Sequence, residues 1–69
     1  MNLITPHQDG ARLDVTKTEL LTIVNALNEV CNGLDIPEFS TRLGVEKEEA
    51  LDLLKIAGDV LDQLGGEIA

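Results

Sequence analysis

The chain has 69 residues, with 13 acidic against five basic side chains and a formal net charge of −8. This length predicts a single domain over residues 1–69. One His and one Cys are too few for a metal cluster or a disulfide, so we expect no metal, no cofactor and a reducing compartment. No signal peptide is recognisable, and no apolar run approaches the roughly 18 residues of a membrane span. We therefore expect a soluble, cytoplasmic protein with no membrane contact.

Residues 1–15 alternate in polarity and show no helical period. Residues 6–10 are a cluster of turn formers, and Leu13 and Val15 alternate with charged residues. This pattern predicts a short N-terminal extended arm or small β-hairpin. Two isolated strands are barely stable in water, so we expect the arm either to lie on the helices or to be disordered.

Thr16 and Glu19 have the spacing of a capping box, which predicts a long first helix that begins near Thr16. Gly33 is predicted to end this helix in the left-handed conformation. Asn28 or Asn32 is expected to hydrogen-bond the following loop backbone. Apolar residues recur along the helix at steps of three and four and form one stripe: Leu20, Ile23, Val24, Leu27, Val30 and Cys31.

A short second helix is predicted from an Asp35 N-cap to Leu43, with Pro37 in its first turn and Gly44 just past its end. An ion pair between Glu38 and Arg42 is expected within it. A long third helix is predicted to begin near Glu46 or Lys47 and to stop at residues 65–66. Its apolar stripe consists of Ala50, Leu53, Leu54, Ala57, Val60, Leu61 and Leu64.

These patterns predict a mainly α fold, a three-helix bundle in the order long, short, long, with the arm at residues 1–15. Leu21 and Leu51 lie off the stripes, and they either widen the core or belong to a contact surface. The centre of the core is predicted to consist of Phe39, Leu43, Leu27, Val24, Leu54 and Leu61.

The acidic charge is concentrated in the second half of the chain, with net −2 over residues 1–34 and net −6 over residues 35–69. Such a surface repels nucleic acid and anionic lipid and attracts a basic protein. The alternative interpretation is that the acidic charge only keeps a small protein soluble, and that the acidic residues are simply solvated. Candidate partner-binding residues lie on the third helix and are called the acidic face: Glu48, Glu49, Asp52, Asp59 and Asp62.

Catalytic chemistry is not expected. His7 lies in the turn cluster and Cys31 in the apolar stripe, so nothing in the pattern brings them together as a base and a nucleophile. Glycine-rich phosphate loops are absent, since residues 65–66 end a helix and begin none. The sequence therefore predicts a non-enzymatic protein.

Residues 16–55 resemble small acidic bacterial proteins of unassigned function, some of which are similar to toxin-immunity proteins. The resemblance implies a cytoplasmic bacterial module for protein–protein interaction that neutralises a toxin by binding it. It assigns no contact residues. The segments that carry it are residues 18–21, 25–33, 38–39, 41–45 and 48–50.

Residues 39–53 also resemble a helix-turn-helix corner, with Ser40 in the first helix, Gly44 at the turn, and Ala50 and Leu53 beyond it. The helix that would enter DNA begins with acidic residues, so no nucleic-acid partner is expected. Two alternatives to a binding module remain open. One is a helix-turn-helix-like regulator, and the other is a structural, self-associating homodimer with Leu21, Leu51 and Ile56 at its interface.

Overall fold

The computed structural model describes residues 1–65. The fold is mainly α and carries an antiparallel hairpin at its N-terminus, as the sequence predicts. None of the described helices is long and apolar enough to cross a membrane. The elements are β1 (Asn2–His7), β2 (Gly10–Asp14), α1 (Lys17–Asn28), a π-helical turn (Glu29–Gly33), α2 (Phe39–Leu43) and α3 (Lys47–Gln63).

The core lies between α1 and α3. The Nζ of Lys17, in the first turn of α1, donates to the carbonyl oxygen of Gly65, just past α3, at 3.2 Å. The two helices therefore run antiparallel. Each helix contributes to the core the apolar residues that its 3.6-residue period places on one face. The central cluster consists of Leu20, Val24, Ala57 and Leu61, and Cys31 and Ala50 are also buried.

The predicted core is confirmed at Val24 and Leu61, which are both 0% exposed. The prediction that Phe39 and Leu43 lie at its centre is wrong, because Phe39 is half-buried and Leu43 is 38% exposed. Among the described elements, α2 packs closely against neither α1 nor α3. A helix of five residues offers little more than one turn of surface to pack. A bundle of three mutually packed helices is therefore not confirmed.

Leu27 and Leu54, also predicted at the core centre, are both half-buried, and Leu54 packs against the central cluster. Leu21 is half-buried and packs on the central cluster, so it widens the core. Leu51 is 38% exposed. Leu51 and Ile56 are five residues apart on α3, so they point about 140° apart around its axis. The predicted dimer interface of Leu21, Leu51 and Ile56 is therefore not one continuous surface.

The start of α1 is the capping box that the sequence predicts. The backbone N–H of Glu19 donates to Thr16 Oγ1 at 3.1 Å, and the N–H of Thr16 donates to Glu19 Oε1 at 2.8 Å. The terminal amine of Met1 also donates to Glu19. This amine and the Thr16 amide together lower the pKa of the Glu19 carboxyl. Val15, just before the cap, packs on the core cluster.

The end of α1 differs from the prediction. Gly33 is not in the left-handed conformation. The helix instead continues into the π-helical turn, and the backbone becomes extended at Leu34. The N–H of Leu34 donates to the carbonyl oxygen of Glu29 at 2.9 Å, which closes this turn. Asn32 Nδ2 donates to Asn28 Oδ1 at 2.9 Å, so this pair bonds within one helical face instead of tying the loop backbone.

Asp35 does not cap the second helix, which begins four residues later at Phe39. Pro37 disfavours the helical conformation at Ile36, so a helix from Asp35 is interrupted at its first residue. Glu38 precedes α2 with φ of 54°, outside the helix, and its predicted ion pair with Arg42 does not form. Gly44 closes α2 with φ of 82°, as predicted.

The hairpin is amphipathic, and its register explains why. Leu3 pairs with Leu13 and Pro6 with Ala11 on one face, which we call the hairpin apolar face. A bulge between Leu3 and Thr5 shifts the register by one residue, which keeps apolar residues together across the strands. The other face is polar and consists of the pairs Asn2–Asp14, Thr5–Arg12 and His7–Gly10.

Candidate protein-binding surface

The acidic face is exposed along α3, the longest of the described helices. Glu46 occupies the N-cap position of this helix without a side-chain hydrogen bond, and Glu48 and Glu49 follow in its first turn. Carboxylates are favoured there because the free backbone N–H groups carry partial positive charge. All members of the acidic face are solvent-exposed, so a partner can reach each of them: Glu48, Glu49, Asp52, Asp59 and Asp62.

Most of the acidic face forms one stripe. At about 100° per residue, Glu48, Asp52, Asp59 and Asp62 lie within an arc of about 80°, and Glu49 lies about 60° outside it. Four of the five predicted side chains therefore share a surface, and Glu49 stands at its border.

Lys55 lies within the same arc and forms an ion pair with Asp59, with 3.1 Å between Nζ and Oδ2. Both side chains are well exposed, at 77% and 60%. Water and salt screen such a pair, so it holds the two groups only weakly. The pair reduces the negative charge at the centre of the acidic face.

A cleft of about 230 Å³ adjoins this stripe where α3 faces the end of α1. Its lining combines apolar surface with charged groups and one amide: Asn28, Leu54, Lys55, Gly58, Asp59 and Asp62. Gly58 is buried in the middle of α3 and, having no side chain, contributes only backbone to the wall of the cleft. A long cationic side chain suits such a cleft, because its methylene stem can lie on Leu54 while its charge meets Asp59 and Asp62.

The sequence interpretation missed a second feature of α3. Leu53, Val60 and Leu64 were assigned to the core stripe, but together with Ile56 they are 43% to 62% exposed. These four residues lie within an arc of about 80°, and we call them the α3 apolar strip. The signal was present in the sequence, since the apolar arc of this helix is about 160° wide and one neighbouring helix covers only part of that arc.

The residues considered for catalysis lie apart in the structure. His7 is exposed in the hairpin, whereas Cys31 is buried at the end of α1. Over residues 1–65, no group of three His, Cys, Asp or Glu side chains is arranged to hold a metal ion.

Comparison with known proteins adds no assignment to this geometry. No protein-family model, curated protein or solved structure matches the chain.

Proposed function

We propose that this protein is a non-enzymatic, cytoplasmic protein-binding module that holds a basic protein against the acidic face of α3. The cleft beside Asp59 and Asp62 carries this proposal, because it offers a Lys or Arg side chain both apolar and anionic contacts. A rigid helix presents these groups without a large ordering cost on binding. Acidic residues at the start of α3 make protein, and not DNA, the favoured partner.

Long-range attraction supports the same proposal. The net charge of −8 is carried mostly by the second half of the chain, so it gives the protein a directional field. Such a field speeds encounter with a basic partner and is screened beyond about 8 Å at physiological salt. We therefore expect the association rate to fall as salt is added, while the dissociation rate changes less.

The resemblance to immunity proteins suggests which partner to test first. A bacterial toxin that acts on nucleic acid carries a basic surface for phosphate, and a stripe of carboxylates on a helix can occupy that surface in its place. Binding alone would then neutralise the toxin, with one molecule of this protein per toxin molecule. No catalytic group is required for such an activity.

The test is binding to the product of a neighbouring gene, measured by calorimetry on the purified proteins. Charge reversal by Asp52→Lys with Asp59→Lys should weaken binding at least about tenfold, which corresponds to about 1.4 kcal/mol. The matched control is Asp9→Lys with Asp35→Lys, which makes the same change in net charge at exposed positions away from α3. Equal weakening by both pairs would leave only a net-charge effect and would contradict a site on the acidic face.

A further inference from the structure

Two apolar surfaces of this chain are uncovered. The hairpin apolar face includes Leu3 at 60% and Leu13 at 52% exposure, and the α3 apolar strip reaches 62% at Ile56. A strand pair that is apolar on one face and polar on the other normally packs that apolar face on another layer. Among the described elements, the hairpin packs closely against no helix. Each surface is thus of a kind that is normally covered.

The whole chain exposes more area than its mass requires. Its accessible surface is 5241 Å², whereas a folded monomer of 7.4 kDa is expected to expose about 4,200 Å². The excess of about 1,000 Å² is close to the roughly 800 Å² that each partner buries in a standard interface. The radius of gyration agrees, since it is 13.1 Å against about 11 Å expected for this length.

We infer that the hairpin apolar face of one copy covers the α3 apolar strip of a second copy, and reciprocally, so that the protein forms a two-fold symmetric dimer. Sheet-on-helix packing is an ordinary layer arrangement, and each copy supplies one layer of each kind. A reciprocal contact closes on itself and leaves no free apolar surface of either kind. Both uncovered surfaces are then explained by one interface.

The hairpin is not free to cover α3 of its own chain. Only Val15 and Thr16 separate β2 from α1. Val15 packs on the core cluster, and Thr16 exchanges two hydrogen bonds with Glu19 in the capping box. Swinging the hairpin back would break both attachments. A second copy meets the hairpin without breaking either of them.

Charge favours the hairpin over α3 as the partner of the strip. Self-pairing of two α3 helices would bring Glu49, which lies within the arc of the strip, close to acidic residues of the other copy. Asp52 and Asp59, which lie beside the strip, would add to this repulsion. The hairpin segment carries only Asp9, Asp14 and Arg12, a net −1 of the total −8. It covers the strip without adding much repulsion. The dimer also leaves most of the acidic face outside the interface.

The first test is the mass of the full-length chain in solution. Sedimentation should be followed by interference optics, since Trp and Tyr are absent. We expect a concentration-dependent mass that rises to twice the 7.4 kDa of one chain. Leu3→Asp and Ile56→Asp should each return the protein to a monomer. Thr5→Asp adds the same charge to the polar face of the same strand and should leave the dimer intact.

Mixing the two monomeric variants tests the reciprocal arrangement. A Leu3→Asp chain keeps an intact strip, and an Ile56→Asp chain keeps an intact hairpin, so their mixture restores one complete contact. We expect the mixture to form heterodimers at concentrations where each variant alone is monomeric. Absence of recovery would overturn the pairing of hairpin with α3, and a wild-type chain that is monomeric throughout would overturn the dimer itself.

Dilution of the unmodified protein provides a readout that needs no variant. Amide chemical shifts should change with concentration in the hairpin and along the α3 apolar strip, and should stay constant around Val24. Chemical-shift changes centred on Leu34 and Leu43, in and before α2, would place the interface elsewhere and overturn the proposal.

Discussion

The hairpin and the α1–α3 pair are both amphipathic, yet only the helices bury apolar side chains against each other. Val24 and Leu61 meet between the helices and are fully buried, whereas Leu3 and Leu13 pair across the hairpin and stay more than half exposed. The two regions follow the same rule, each with its own period, of two residues for strands and 3.6 for helices. The contrast teaches that an amphipathic pattern predicts a surface to be covered without naming what covers it.

The largest effect should come from truncating the packed region. Leu61→Ala removes a fully buried side chain from the cluster with Leu20 and Val24, so it should lower the free energy of unfolding by about 2–5 kcal/mol. A domain of this size has only about 3–5 kcal/mol available from its core. Urea denaturation followed by far-UV circular dichroism should therefore show a protein that is largely unfolded or close to it.

Leu34→Ala is the matched control for this prediction. It makes the same truncation at a leucine that is 52% exposed in the loop before α2, so it should cost about 1 kcal/mol or less. Equal losses at Leu34 and Leu61 would mean that burial between α1 and α3 does not determine the stability.

Truncation of Phe39 on α2 should cost an amount of stability between those of Leu61→Ala and Leu34→Ala. A fully buried phenylalanine would cost about 3–5 kcal/mol on truncation to alanine. Phe39 is half-buried on a helix that packs closely against neither long helix, so we expect about half of that loss. Phe39→Leu should restore most of the stability in the same urea titration. A loss as large as that of Leu61→Ala would place the ring in the core after all.

Local signals in the sequence located three features of the chain, whereas the predicted left-handed end of α1 at Gly33 was wrong. Thr16 with Glu19 located the start of α1, Gly44 located the end of α2, and the turn formers at residues 6–10 located the hairpin turn. Each signal acts through hydrogen bonds or backbone conformation within a few residues. The predicted Asp35 cap was wrong because a second local effect, that of Pro37 on the residue before it, overrode the capping pattern.

Which faces of the helices pack against one another could not be predicted from such local signals. The apolar arc of α3 is continuous from Ile56 to Leu54, and nothing in its period tells which half α1 covers. Phe39 was assigned to the core centre because it is the only ring in the chain. Its burial depends on how α2 docks, which is a property of tertiary packing. For the same reason the acidic face could be listed residue by residue, but the cleft beside Asn28 and Gly58 could not be foreseen.

A substitution at the junction between the hairpin and α1 should lower the stability by a smaller amount. Thr16→Ala removes the hydroxyl that accepts from the Glu19 amide, and loss of such a cap typically costs about 1 kcal/mol. Thr18→Ala is the control, because it makes the same change two residues later at an exposed position whose side chain takes no part in the capping box. If the capping box is what holds the hairpin in place, Thr16→Ala should also speed amide hydrogen exchange in β2. Unchanged exchange there would assign that role to Val15 alone.

The smallest effect concerns Glu38, which stands at the start of α2 with φ of 54°. An L-residue in this conformation is disfavoured by about 1–2 kcal/mol, whereas glycine adopts it freely but loses about 0.5–1 kcal/mol more entropy on folding. Glu38→Gly should therefore raise the free energy of unfolding by about 0.5 kcal/mol. Glu46→Gly makes the same change at the N-cap of α3, where φ is −67°, and should give no gain. If both variants lose stability equally, residue 38 is not held in the left-handed conformation.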